Sequence, residues 1–314
     1  MLAMELVIFV RDFVRDSFRL AFDLRSWRAG LRAGRLPSLV IAAFSCALGV
    51  VLAWRDGRGD IPNTVAVMIA GLALQVGVNL VNDFFEFRQG KVDDKVAHLG
   101  FGARDRELLE WLIFLVGLAF FGLAALIGLF LAWRSGWQLI VLGIVGFLGG
   151  FFYTGEPLNY KRRGLAVVLV FFLMGVFMVV GSTFSVSGRF HWRDAFASIP
   201  VSLLVSLILL ANELRDFESD VRHGIGTLAV RIGYRRAVIV YCALLFLAYA
   251  SPLVLWRVGV CPRPLLVFLA LPFAVPPFLF MRRPPERRMP IIPLVMLHHL
   301  VFGSLFCASY FVPA

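Results

Sequence analysis

The chain is 314 residues long, 60% hydrophobic and only 16% charged, with a mean hydropathy of +0.84. A soluble domain carries about a quarter charged residues, so this composition excludes an ordinary soluble protein and points to an integral membrane protein. The formal net charge of +11 is carried by no basic domain and no aromatic–basic interleaving. That excludes a nucleic-acid partner and leaves topology, anionic lipid headgroups or an anionic substrate as its use.

Residues 1–36 mix apolar positions with Arg11, Arg15, Arg19, Arg25, Arg28, Arg32 and Arg35. This pattern predicts an interfacial amphipathic segment lying on the membrane lipid rather than a span. Its acids and arginines precede any long apolar run, unlike a cleavable signal peptide. From 37 to 314 the chain reads as one transmembrane domain. Apolar runs over roughly 37–54, 63–85, 108–133, 137–154, 164–186, 195–214, 236–256, 263–281 and 290–312 are each near the ~20 residues a bilayer requires. They predict an all-α bundle of about nine transmembrane helices.

Of the 31 Lys and Arg, only Arg55, Arg58, Arg134, Arg189, Arg193, Arg257 and Arg263 fall in one of the two alternating sets of loops. The rest lie in the other set, which the positive-inside rule makes cytoplasmic, together with the N-terminus. The acids crowd onto that same face, although the rule barely concerns Asp and Glu. They need another reason to be there.

The second apolar run closes on Asn79, Asn82, Asp83 and Glu86, followed by Gly90, Asp93 and Asp94. Spacings of three and four put the two amides and the first two acids on one helical face. A short loop follows the fourth run and carries Tyr153, Lys161, Arg162 and Arg163. The sixth run closes on Asn212, Arg215, Asp216, Asp220 and Arg222. Asp216 and Asp220 share a face, with Asn212 one turn earlier. An ordinary polar helix end accounts for either acidic stretch alone. It does not account for the same design twice on one membrane side, with a basic loop between.

Hard oxygen donors of this kind suit Mg²⁺, which is usually bound through one or two carboxylates plus substrate phosphate oxygens. Two such clusters can hold a pair of Mg²⁺ ions on one diphosphate, with Lys161, Arg162, Arg163, Arg215 and Arg222 placed to neutralise the remaining charge. A diphosphate site at a membrane face suits a lipid diphosphate, its tail lined by residues such as Phe84, Phe87, Phe171, Phe172 and Phe177. A cation-coupled transporter is the competing reading, but transporter sites lie near the bilayer midplane at broken helices, and these acids close spans. The four cysteines and five histidines show no metal or redox spacing. Cys46, Cys242 and Cys307 read as small core residues, and His298-His299 as packing.

The three polar stretches together resemble the UbiA superfamily of intramembrane prenyltransferases. Asn79-Leu80-Val81-Asn82-Asp83-Phe84-Phe85-Glu86 with Gly90 and Asp93 is similar to its first motif. Tyr153-Thr154-Gly155, Pro157-Leu158, Lys161 and Arg163-Gly164-Leu165 are similar to its central loop. Arg215-Asp216-Phe217-Glu218-Ser219-Asp220, Gly224 and Thr227 to Gly233 are similar to its second. Within the superfamily the pattern is most similar to the 1,4-dihydroxy-2-naphthoate polyprenyltransferases of menaquinone biosynthesis.

The resemblance implies a nine-helix bundle in a bacterial inner membrane and Mg²⁺-dependent transfer of a prenyl group from a polyprenyl diphosphate to an aromatic acceptor. 1,4-Dihydroxy-2-naphthoate is the expected acceptor, with 4-hydroxybenzoate, homogentisate, a glycerol phosphate or a sugar phosphate as alternatives. It implies metal ligation by Asp83, Glu86, Asp93, Asp216 and Asp220, with Asp94 an equal alternative to Asp93, and diphosphate contact from Lys161, Arg163 and Arg222. Asn79, Asn82, Tyr153 and Asn212 fall at substrate-binding positions. Two departures stand out: Glu86 replaces the usual Asp, and Ile225 replaces the Lys that commonly follows the glycine.

Overall fold

A computed structural model describes residues 36–88 and 103–311. The N-terminal segment up to residue 35, together with Gly90, Asp93 and Asp94, lies outside these described residues. Among them, eight helices are long and apolar enough to cross a membrane. They are α1 (Leu36–Arg55), α2 (Ile61–Arg88), α3 (Ala103–Ser135), α5 (Ala166–Ser187), α6 (Trp192–Arg215), α9 (Tyr234–Arg257), α10 (Pro264–Met281) and α11 (Ile291–Ala308). The fourth expected span is a shorter apolar helix, α4 (Gln138–Phe151), of 14 residues. Two short helices, α7 (Phe217–Arg222) and α8 (Leu228–Ile232), fill the connection between α6 and α9.

Helix α6 is the axis of the bundle. Val201, Leu204, Leu207, Ile208, Leu210, Ala211 and Leu214 are all buried, so it is apolar around most of its circumference, as a helix enclosed by others must be. By contrast α3 and α4 expose Leu115, Leu126, Leu129, Ile144 and Leu148 outward, the pattern expected where lipid is the neighbour.

Small residues let α5 close on α6. A Cβ on Gly175 would lie 2.2 Å from Ser202 Oγ and 2.7 Å from its Cα, so only glycine permits this approach. Ser206 donates to the Val167 carbonyl at 2.8 Å across the same seam. Within α5, residues Phe171–Phe177 form a π-helical segment, and Gly175 sits inside it. The wider turn leaves Phe172 exposed to the lipid side. Phe84 packs into the α2–α3 seam against Phe114 and Trp111, with ring centroids 4.5 and 5.3 Å away, and Phe87 is buried with Leu80, Leu109 and Ile113. These two rings are core of a helix pair.

The opposite end of the bundle is fastened by a polar knot. Asn63 on α2 donates to the Ser185 carbonyl at 2.8 Å and accepts from Arg134 Nε at 2.6 Å, joining α2, α3 and α5. The histidine pair is fully buried, and His298 Nε2 lies 2.9 Å from the Tyr249 hydroxyl. Cys46 is buried and Cys307 half-buried, whereas Cys242 faces outward, unlike the core position expected of it.

Candidate active site

Helix α2 continues past the apolar run to Arg88, so Asn79, Asn82, Asp83 and Glu86 all stay helical. Asn79, Asn82 and Glu86 are buried, while Asp83 is half-buried. Asn79 accepts from Gln75 Nε2 at 2.9 Å and donates to Ser38 Oγ at 2.7 Å, which ties α2 to the start of α1. Asn82 Oδ1 accepts from Thr154 Oγ1 at 2.9 Å. That bond anchors the central loop onto the first acidic stretch.

The loop between α4 and α5 folds tightly over this end. It turns at Asn159, with φ of 33°, and at Gly164, with φ of 73°, both in the left-handed region that Asn and Gly tolerate best. Tyr160 donates to the Gly149 carbonyl at 2.7 Å. Burial, and next its neighbour Tyr153, pushes the Tyr160 phenol well above its ordinary value, so it remains a neutral donor. The loop delivers Lys161, whose Nζ lies 2.6 Å from Glu86 Oε1 and 5.6 Å from the centre of the Tyr153 ring. Both partners are shielded, with side-chain exposures of 19% for Lys161 and 6% for Glu86. Arg163 is exposed and turns back to donate to the Pro157 carbonyl at 2.9 Å.

The second stretch closes α6. Helical hydrogen bonding runs on through the end of α6, with Asp216 N donating to Asn212 O at 3.0 Å and Asp220 N to Asp216 O at 2.8 Å. Asp216 and Asp220 therefore keep a common face. Asp216 is held by Arg215 through two bonds of 2.7 and 2.5 Å. Asp220 is buried and accepts from Thr227 Oγ1 at 3.4 Å. Asn212 is half-buried and Arg222 exposed.

Residues outside the expected set join these stretches. Arg231 donates to the Gly226 carbonyl at 2.8 Å and to the Arg162 carbonyl at 3.0 Å, clipping the second stretch to the central loop. Gly226 has no room for a side chain, since a Cβ there would sit 2.7 Å from Arg162 O. Glu213, buried on α6, accepts from the Ala229 amide at 3.0 Å and lies within electrostatic reach of both Asp220 and Lys161. Its Oε1 has no hydrogen-bond partner among the described residues. Sequence spacing passed over Glu213 because it stands about 100° round the helix from Asn212. Its one signal was a carboxylate at a buried helical position.

The donor set fits Mg²⁺. Every ionisable ligand candidate is a hard carboxylate. Among the described residues no group of three His, Cys, Asp or Glu side chains closes a protein-only cage. Mg²⁺ is seldom caged that way, and takes one or two carboxylates with phosphate and water completing the octahedron.

A multi-pass helical bundle that gathers carboxylates and a lysine from distant spans at one end defines a membrane enzyme working at the bilayer face. Comparison with known proteins agrees. Residues 42–298 match the UbiA prenyltransferase family, and the chain belongs to that family. It is 30% identical over 243 residues to the 1,4-dihydroxy-2-naphthoate octaprenyltransferase of Bacillus subtilis, covering 75% of this chain and 76% of the relative. The enzyme of the same name from Haemophilus influenzae is 30% identical over 308 residues, covering 90% and 94%. The UbiA prenyltransferase domain-containing protein 1 of Ailuropoda melanoleuca is 31% identical, covering 75% and 71%. Among solved structures, a UbiA homolog from Archaeoglobus fulgidus bound to GPP and Mg²⁺ superposes with a TM-score of 0.65 at 14% identity, covering 90% of this chain and 98% of that one. A digeranylgeranylglyceryl phosphate synthase gives 0.64 at 14%, covering 91% and 99%. At these identities the solved structures establish a shared fold.

Proposed function

We propose that this prenyltransferase moves a polyprenyl group from its diphosphate to 1,4-dihydroxy-2-naphthoate, at the cytoplasmic face of a bacterial inner membrane. The observation that carries the reading is the junction of Lys161 with Glu86 and of Thr154 with Asn82, which brings basic loop and first acidic stretch into one place. The naphthoate enzymes among its relatives support the choice of acceptor.

Asp83, Glu86 and Asp93 would hold one Mg²⁺, and Asp216 and Asp220 the other. When bound, the ions stabilise the charge of the departing diphosphate, so that the allylic C–O bond can ionise. Lys161, Arg163 and Arg222 take diphosphate oxygens by charge-assisted hydrogen bonds. The contact of Lys161 with Glu86 already holds its ammonium beside the first acidic stretch. Asn82 and Asn212 line the donor, and Asn79 and Tyr153 orient the acceptor. A ring carbon of the acceptor then forms the new C–C bond with the allylic cation, the C–O bond pair having left with the diphosphate. The ring then recovers its aromaticity by losing a proton or, from the carboxylated naphthoate, carbon dioxide. No enzyme nucleophile is required, so the chain's work is positioning and charge.

Asp83→Asn tests this reading with almost no change in shape. Transfer from a labelled polyprenyl diphosphate should fall at least about 100-fold, the scale of losing one electrostatic group at a reacting centre, with the protein still folded in the membrane. EDTA should stop the wild-type enzyme and excess Mg²⁺ restore it. Retained transfer by the variant in the presence of Mg²⁺ would remove Asp83 from the mechanism.

A further inference from the structure

The arginines at 282, 283, 287 and 288 read from sequence as topology markers of one cytoplasmic loop. The structure separates one from the rest. Arg282, Arg283 and Arg287 are exposed, but Arg288 is only 7% exposed. Its Nη1 donates to both oxygens of Glu218, at 2.8 and 2.9 Å. Its Nε donates to the Arg283 carbonyl at 2.9 Å, and its guanidinium lies 4.2 Å from the centre of the Tyr234 ring. Tyr234 in turn donates to the Met281 carbonyl at 2.5 Å and meets Phe217 edge to face at 5.3 Å. One arginine thus gathers α7, the start of α9 and the α10–α11 loop around a single ring.

Glu218 belongs to α7, between Asp216 and Asp220. At about 100° per residue, Glu218 stands roughly opposite the face those two acids share. Helix α7 has only 6 residues and is set off from α6 by the cap at Asp216, with φ of −92° and ψ of 6°, so the backbone bonds that continue α6 leave its rotation open to side-chain contacts. Contacts from the neighbouring elements therefore help to set where its acids point. Phe217 and Glu218 are the residues of α7 tied to the α9 and α10–α11 side, and Arg288 engages Glu218 directly while covering the ring on which Phe217 rests.

We propose that Arg288 is a positioning residue for the second acidic stretch: by gripping Glu218 and covering Tyr234, it fixes the rotation of α7 and aims Asp216 and Asp220 at the prenyl donor. This rests on the reading of Asp216 and Asp220 as donor-site acids. Arg288 itself need touch neither metal nor substrate. It joins the last loop of the bundle to the site through a contact that charge counting along the sequence cannot see. Lysine would keep the charge beside Glu218 but lose the Nε bond to the Arg283 carbonyl and the planar cover of Tyr234, so it should act only in part.

The test uses the purified full-length protein in detergent. Binding of radiolabelled geranylgeranyl diphosphate is titrated with MgCl₂, without acceptor, so no turnover is involved. Glu218→Gln and Arg288→Met should each raise the Mg²⁺ concentration for half-maximal binding about 10-fold, the scale of a lost charge-assisted pair. The double variant should be no worse than either single one, and Arg288→Lys should fall between wild type and Arg288→Met. Glu218→Gln is isosteric and only partly buried, so it keeps the test decisive if Arg288→Met fails to fold. Asp216→Asn serves as the control for the underlying reading and should lose binding. If Asp216→Asn loses binding while Glu218→Gln stays within twofold of wild type, the positioning role is wrong and the donor-site reading stands. Additive single effects would also overturn the proposed linkage. If Asp216→Asn binds normally, both readings fall together.

Discussion

At the scale of single residues, Lys161 and Glu86 depend on each other. Each is largely out of water, and they meet at 2.6 Å. Removing one member of a buried pair leaves the other charge uncompensated, at a cost of about 3–5 kcal/mol. Lys161→Met should therefore lower thermal stability in detergent by an amount on the order of 3 kcal/mol, and it should also abolish transfer. Adding Glu86→Gln removes the stranded charge. The double variant should recover most of the stability and none of the activity, as read by a melting curve beside a transfer assay. Recovery of both would make the pair purely structural. The helical placement of Asp83 and Glu86 and the common face of Asp216 and Asp220 were legible in the sequence, because acids and amides recur at helical spacing where apolar runs stop. Glu213 and Arg288 were not legible. Glu213 sits one position off the expected face, and Arg288 looks like its exposed neighbours until burial distinguishes it.

At the scale of elements, hydropathy located the helices within a few residues, since each apolar run ends where polar side chains meet the bilayer face. The differences have local causes. α2 runs to Arg88 rather than stopping at 85, because its acids remain in helical register and find partners on the central loop. α4 ends at Phe151 rather than 154, because Tyr153, Thr154 and Gly155 are needed in the turn that sets Lys161. The π segment at Phe171–Phe177 has no sequence signature in a uniformly apolar run. Its register depends on Gly175 meeting α6 at Ser202, including the Ser202 backbone. Gly175→Ala should force the two helices apart and cost about 1–3 kcal/mol, as overpacking does, seen as a lower melting temperature. An unchanged melting temperature would mean that the α5–α6 seam yields freely.

At the scale of the whole molecule, the bundle is asymmetric in purpose. One end is tied by Asn63 and Arg134, a contact that fixes α2 against α3 and needs no ligand. At the other end the central loop meets α2 through Lys161 and Glu86 and the second acidic stretch through Arg231. That asymmetry follows from a chain whose acids are concentrated on one side of its spans. The fold, the family and the class of chemistry were readable from composition, spacing and the three polar stretches. The acceptor is a finer matter, because it is set by side chains around a ring rather than by the acids that hold a diphosphate.

The most direct measurement of the central claim is the product itself. Membranes carrying the protein, supplied with Mg²⁺, geranylgeranyl diphosphate and 1,4-dihydroxy-2-naphthoate, are extracted and the lipids identified by mass spectrometry. The account predicts a naphthalene ring bearing the prenyl chain and lacking the original carboxyl group, absent when the membranes carry the Asp83→Asn variant. Unchanged dihydroxynaphthoate beside prenylated 4-hydroxybenzoate or homogentisate in parallel incubations would contradict the acceptor. No prenylated product from any of the three would contradict the mechanism.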